Sequence, residues 1–356
     1  MQEQPDSAFD AIQQAHQIAF APFVFQATVS LRDLGVFEFI FKNRKKGGKK
    51  IKEIASQLSL SMYGVGVLLE IAESANIVIK DKDGNFLLTK TGYFLTYNET
   101  VNVNVNFTND VCYKGLYHLP EAIKNGTPAG LKELGSWPTI YEGLSKLPPQ
   151  IQKSWFEFDH HYSDDIFDEA LEKLFTYRPK RIVDVGANTG KYALRCLDKD
   201  PQVEMTLLDL PGQLKKALAS IEKKGFKERV TGQEIDWLSK EEKTIPKGVD
   251  VIWMCQFLDC FSEEEISTIL NTAVEAMDAN TRLIIIETYT DRQKFDNAKF
   301  ILEATSIYFT VMANGNSKMY PSTVLIDLAK KAGLYIDEDV TLGEYHTMFV
   351  CKKEQS

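Results

Sequence analysis

From Phe9 to about Phe41, apolar residues recur at steps of three and four, the period of an amphipathic helix. Leu34, Gly35 and Val36 interrupt the run at a helix-ending glycine. The stretch from Ile51 to Thr96 predicts a short helix over Ile51–Leu58, a turn opened by Ser59 or Ser61, and a second helix from about Met62 to Ala75. Two apolar runs then flank Asp83-Gly84, a strong hairpin signal. Helix, turn, helix and hairpin is the order of a winged-helix unit. Residues 100–178 are helical and aromatic, with loops at NGTPAG and LPP. From Arg181 the pattern changes. RIVDVG, VEMTLLD, RVTGQEID, VDVIWMC, TRLIIIET, LYIDED and HTMFVCKK read as strands, and helical patterns separate the first six. Such alternation predicts an α/β domain with a parallel sheet covered on both faces. The last two strands share only a short Gly-Glu connection, which predicts an antiparallel hairpin at the end of the sheet. The expected domains are a mostly helical, winged-helix-like one over 1–100, a helical connector over 101–178, and the sheet domain over 179–356.

Composition narrows the function classes. A chain of 356 residues with 44% hydrophobic and 26% charged content reads as a soluble globular protein of about two domains. No apolar run is long enough to cross a bilayer, and the acidic, polar start MQEQPDSAFD does not read as a signal peptide. A net charge of −9 argues against general affinity for nucleic acid or anionic membranes. The expected second helix of the winged-helix unit carries Tyr63, Val65, Val67, Leu68, Glu70 and Glu73 but no Lys or Arg, so it is ill suited to a DNA groove. The basic stretch KNRKKGGKKIKE lacks aromatics and reads as a solvated loop. Five scattered cysteines without a CxxC pair argue for reduced thiols, no zinc site and a cytoplasmic location.

In parallel sheets ligands bind beyond the carboxyl ends of the strands, so the strand ends carry the candidate chemistry. The first ends in DVGANTG, where Gly186 permits a tight turn and Gly190 lets the next helix start close to a ligand. The second ends in LLDLPG, placing Asp209 where a carboxylate can accept from two ribose hydroxyls. The third ends with Asp236 and Trp237, an acceptor beside an aromatic plane suited to adenine. Together these describe an adenosine site. A dinucleotide needs GxGxxG so that helix amides meet the pyrophosphate, whereas the spacing here is GxNxG. Asp184 at the turn would repel a pyrophosphate and attract a sulfonium or an ammonium. That favours S-adenosylmethionine over NAD.

These motifs, with FLDCFSEEE, LIIIE and the later GNSKMYPSTVLIDLAKKAGL, resemble the small-molecule O-methyltransferases that use S-adenosylmethionine. The family includes plant phenylpropanoid enzymes and bacterial polyketide- and carotenoid-tailoring enzymes. The resemblance covers nearly the whole chain and implies a Rossmann-like class I methyltransferase sheet, an N-terminal winged-helix-like dimerisation domain, a homodimer and a small-molecule acceptor. It also implies that Asp184, Gly186 and Gly190 surround the methionine part of the cofactor, that Asp209 holds the ribose with Leu210 packing nearby, and that Asp236 and Trp237 hold adenine.

The pattern departs from the family at one place. Many members have Leu-His-Asp-Trp after the strand corresponding to VIWMCQFLD, and that His removes the proton of the acceptor hydroxyl. Alignment on the terminal acids puts Asp259 at the His position, Cys260 at the Asp and Phe261 at the Trp. Glu287 matches a glutamate that orients the His, and Ser317 stands where the family has a second one. An unperturbed Asp near 3.9 is about 6 units short of a phenol near 10, against about 3.5 for His, an added penalty of about 3.5 kcal/mol. Three remedies are open: apolar neighbours Phe257, Leu258 and Phe261 raise Asp259, the acceptor arrives ionised, or His160 in WFEFDHHYSDD supplies the base. Trp155, Phe156, Phe158, Tyr162, Tyr308, Phe309 and Met312 are candidates for the acceptor pocket or for the core. The reading is an S-adenosylmethionine-dependent methyltransferase, foremost one that O-methylates a small aromatic, polyene-like or carboxylate-bearing molecule. The alternatives are a cofactor-binding relative without methyl transfer, a nicotinamide-dependent reductase and a DNA-binding regulator.

Overall fold

The computed structural model describes residues 7–354. The chain divides into two compact units, Met1–Asp110 and Val111–Ser356, so the helical segment over 101–178 is split between them.

In the first unit the helices Ala8–Asp33 and Val36–Lys42 meet at Gly35, whose left-handed φ of 76° breaks the run where the apolar period slips. Ser59, also left-handed, ends the helix Ile51–Leu58. Ser61 caps the next helix, Met62–Ser74, by accepting from the Gly64 amide at 3.3 Å. Strands β1 (Val78–Lys80) and β2 (Phe86–Leu88) pair antiparallel. Their connection is longer than an Asp-Gly turn alone. Asp81 pairs with Asn85 and takes the amides of Asp83 and Asn85 on one carboxylate oxygen, while Gly84 adopts a φ of 82°. Part of the basic stretch is tied down: Lys49 bridges to Phe86, and the Arg44 guanidinium lies 3.7 Å from the Phe41 ring centre. Leu31, Phe37, Ile40, Ile54, Leu69 and Phe86 form the core of this unit.

The second unit is built on seven strands: β3 (Arg181–Val185), β4 (Glu204–Asp209), β5 (Val230–Glu234), β6 (Val251–Cys255), β7 (Arg282–Glu287), β8 (Leu334–Leu342) and β9 (His346–Lys353). They lie in the order β5-β4-β3-β6-β7-β9-β8. The first five are mutually parallel, and β9 is antiparallel to both β7 and β8. All seven expected strands are present, and the expected final hairpin turns at Gly343. Val183, Val185, Ile252 and Met254 pack on one face and Ile182, Leu207, Val251 and Trp253 on the other. Both faces are thus dry, which is why these strands read as continuous apolar runs. Chain direction across the sheet reverses between β3 and β6, which opens a crevice at their carboxyl ends.

Candidate active site

Two adjoining cavities occupy that crevice. The larger, about 830 Å³, runs past the ends of β4 and β5 and is walled by Asp209, Leu210, Asp236 and Trp237 on one side and by Tyr141, Trp155 and Cys260 on the other. The smaller, about 510 Å³, lies over the end of β3 and is lined by Asp184, Thr189, Lys191 and Tyr192. Asp159, Gly186, Asn188 and Gln256 line both.

The β3–helix turn is shaped by Gly186 and Asn188, both with positive φ. A Cβ on Gly186 would lie 2.5 Å from the Phe257 ring, so only glycine leaves room between the turn and the β6 loop. Asn188 donates its amide to Asp209 at 2.7 Å and its side-chain nitrogen to Asp159 at 2.8 Å. Gly190 lines neither cavity. Its crowding comes from the helix Pro211–Lys223, with Ala217 3.2 Å from a built Cβ, so it serves helix packing rather than the close ligand approach expected from the sequence.

Asp184 is buried at 4% exposure, and one carboxylate oxygen has no hydrogen-bond partner. Burial and the neighbouring Asp209 push its pKa up to about 7. Asp209 also accepts from the Leu210 amide at 2.7 Å, yet burial still raises it to about 6. Asp236 is exposed and accepts from the Leu238 amide, while the buried Trp237 indole nitrogen has no partner.

Beyond β6 the chain makes one tight helical turn, Leu258–Cys260, which carries Asp259. Glu287 at the end of β7 accepts the amides of Phe257 and Leu258 at 3.0 and 2.8 Å on one oxygen. Asn314 donates to the Cys260 carbonyl at 2.6 Å, and Ser317 donates its hydroxyl to Asn314. Ser317 therefore holds the same turn through an intermediary. Asp259 is 7% exposed, and burial lifts its pKa to about 6. Burial, and after it the charge of Asp259, raises Glu287 well above the carboxylate range.

His160, on the helix Pro149–Asp164, faces the smaller cavity, 3.7 Å from Asp159 and 3.8 Å from Asp164, and burial lowers its pKa. The helix residue that feels Asp259 is its neighbour Asp159, which burial and Asp259 push up to about 7. Of the candidate pocket aromatics, Trp155 lines the larger cavity and donates to the Tyr308 hydroxyl at 2.8 Å. Met312 fills space against the backbone of Gly115, as a core residue. Among the described residues, no group of three or more His, Cys, Asp or Glu is arranged to hold a metal ion, and no helix is long and apolar enough to cross a membrane.

The O-methyltransferase domain family matches residues 144–334, more than half of the 356-residue chain, and includes the lining of both cavities apart from Thr139, Tyr141 and Glu142. The chain belongs to the O-methyltransferase family. It is a methyltransferase with S-adenosylmethionine as its cofactor. The Dimerisation2-like domain family matches residues 13–86 of the same methyltransferase. The L-tyrosine C(3)-methyltransferase of Streptomyces lavendulae is 22% identical, over 89% of this chain and 85% of its own length. Aclacinomycin 10-hydroxylase of Streptomyces purpurascens is 26% identical over 66% of this chain and 59% of its own. A solved O-methyltransferase from neocarzinostatin biosynthesis, in complex with S-adenosylmethionine and 2-hydroxy-5-methyl naphthoic acid, superposes with a TM-score of 0.68. It is 18% identical, over 92% of this chain and 95% of that one, so the methyltransferase fold is shared. Asp159, Asn188 and Gln256, which line both cavities, are the residues that sequence reasoning passed over. The signal for Asp159 was its four-residue step from Trp155, which puts both on one helix face.

Proposed function

We propose that this methyltransferase transfers a methyl group to a heteroatom of a small acceptor held in the larger cavity, with Asp259 taking the acceptor's proton. What carries this reading is the adjoining pair of cavities at the carboxyl ends of β3, β4 and β6, which meet at Asp159, Gly186, Asn188 and Gln256. The residues present suit S-adenosylmethionine. Asp184, Asn188 and Trp237 each carry a buried polar atom without a partner, and the Gly186 backbone has no room for a side chain. In this reading Asp184 takes the ammonium end, Asp209 the ribose, and Asp236, Trp237 and Leu210 the adenine. The cofactor supplies an electrophilic methyl carbon on a sulfonium.

The chain's own contribution is alignment, exclusion of water and proton removal. Burial brings Asp259 to about 6, so its deficit against an ordinary histidine shrinks to under about 1 kcal/mol. Glu287 and the Ser317–Asn314 pair act as positioning residues for the turn that carries it. The side chain of Cys260 meets Asp259 at 3.5 Å as a weak donor, and its own thiol is held protonated by burial. Four acids and no Lys, Arg or His line the larger cavity, which disfavours an acceptor that arrives as an anion.

In this reading the first unit is a winged-helix-like homodimerisation domain. Exposed Phe9, Ile12, Ile18, Phe20 and Phe23 on its first helix support that, as does the family match. The free cysteines fit a cytoplasmic setting. Calorimetric titration with S-adenosylmethionine, S-adenosylhomocysteine and NAD, followed by transfer of labelled methyl to a panel of phenols and amines, tests the reading. Binding of NAD alone would sink it. Tight cofactor binding without transfer to any acceptor would favour the second reading, a cofactor-binding relative with other chemistry, for which the hydroxylase relative is the motive.

A further inference from the structure

The acceptor end of the larger cavity combines two features that do not occur together by necessity. On one side the helix Pro149–Asp164 presents Trp155 and Asp159, one turn apart and therefore on one face. On the other, the short helix Ile140–Gly143 presents Tyr141 and Glu142. The Trp155 indole is held by its bond to Tyr308, and Asp159 by its bond from Asn188. The Tyr141 hydroxyl is buried, and the polar group it meets is the Cys260 thiol, a weak hydrogen-bond partner. The cationic groups nearest Asp159 are already engaged or neutral. Lys191 bonds Asp164 at 2.6 Å, and burial favours the uncharged form of His160.

We propose that the acceptor is a small aromatic amine bound as its cation, with its ammonium on Asp159 and Glu142 against the Trp155 and Tyr141 rings and its reacting hydroxyl toward Asp259. This rests on the methyltransferase reading of the same site. A carboxylate beside an aromatic face is the arrangement that holds an ammonium best, through an ion pair and the ring quadrupole together. The Tyr141 hydroxyl, whose neighbour is only a weakly bonding thiol, gains a stronger partner in an ammonium N–H. Burial and the charge of Asp259 push Asp159 towards its neutral form, so a cation in the cavity relieves a cost already present. A carboxylate-bearing acceptor would add to that cost.

The experiment uses the full chain loaded with S-adenosylhomocysteine and two matched sets of phenols: tyramine, 4-ethylphenol and 3-(4-hydroxyphenyl)propionate; and 3-(aminomethyl)phenol, 3-methylphenol and 3-hydroxybenzoate. In at least one set the ammonium member is expected to bind about tenfold more tightly than the neutral one, with the carboxylate weakest. Asp159→Asn and Glu142→Gln should each reduce that preference, while affinity for the neutral phenol changes by less than about twofold. Glu142 is exposed, so its variant keeps the test open should Asp159→Asn fold poorly. Neutral or carboxylate members binding as well as the ammonium members would overturn the proposal. So would ammonium members that fail to bind at millimolar concentration, or a preference that survives both substitutions. Failure of the unaltered protein to bind S-adenosylhomocysteine is a separate result, and it would strike the methyltransferase reading itself.

Discussion

The two sides of the larger cavity differ in how they treat charge. On the cofactor side, each acid has a backbone donor or an open face: Asp209 takes two amides, and Asp236 is exposed. On the acceptor side, Asp159 lines the cavity while Asp259 and Glu287 lie behind its lining. Burial raises all three, the Asp259 charge adds to the shift of the other two, and the donors they meet are amides, Asn188 and a thiol. In the proposed reading the first side binds a neutral nucleoside through fixed acceptors. The second is built from carboxylates whose ionisation is held back, which makes them proton acceptors near neutral pH. A histidine reaches that condition unaided, whereas an aspartate needs the dry pocket that Phe257, Leu258 and Phe261 supply.

The contrast can be broken most severely at the turn both sides share. Gly186→Ala would force a Cβ to 2.5 Å from the Phe257 ring at a φ of 76°. Cofactor binding, read by calorimetry, should fall by more than about a hundredfold or be lost, because strain and collision both act there. Asp209→Ala should weaken S-adenosylmethionine by about a hundredfold, the worth of a charged pair of hydrogen bonds. Its maximal rate at saturating cofactor should change far less, and a rate effect as large as the binding effect would contradict the division of labour.

A third prediction concerns pH. Folded values of about 7 for Asp184 and Asp159 and about 6 for Asp209 and Asp259 exceed the unfolded carboxylate value near 4. The cofactor-free fold therefore binds more protons than the unfolded chain between those values. Its contribution from these groups is full below about pH 4 and is lost as pH rises through 6 to 7. A bound cation favours the ionised acids, so S-adenosylmethionine affinity should rise roughly tenfold from pH 6 to 8, with proton release visible as buffer-dependent binding heat. A flat affinity profile would show that the acids do not meet the cofactor's charge. The smallest effect belongs to Asn188→Gly. Glycine keeps the left-handed backbone and the amide to Asp209, so cofactor affinity should drop only about threefold. The loss of its bond to Asp159 should appear in the maximal rate instead.

Much of the fold was legible because strands buried on both faces write continuous apolar runs, as RIVDV and VIWMC do. The cofactor side was legible for a different reason: Asp209 and Trp237 lie next to strand ends, where local sequence determines position. The acceptor side depends on contacts between distant segments. Asp159 meets Asn188 across 29 positions, and Glu287 meets Phe257 across 30. No local pattern announces such pairs. His160 drew attention because histidine titrates near neutrality, but it lines only the smaller cavity, whereas its neighbour Asp159 lines both. Met312, left open between pocket and core, shows the limit of local pattern, since an apolar residue near a site reads the same whether it lines a pocket or packs on a glycine backbone.

The account stands on Asp259 as a base made by burial. The most direct measurement is the maximal methyl-transfer rate of Asp259→Asn at saturating S-adenosylmethionine, paired with its calorimetric affinity for S-adenosylhomocysteine. The account predicts a rate lowered by about two to three orders of magnitude, an affinity within about threefold of the unaltered protein, and loss of the rising limb near pH 6 in the rate profile. An unchanged rate with that limb intact would contradict it.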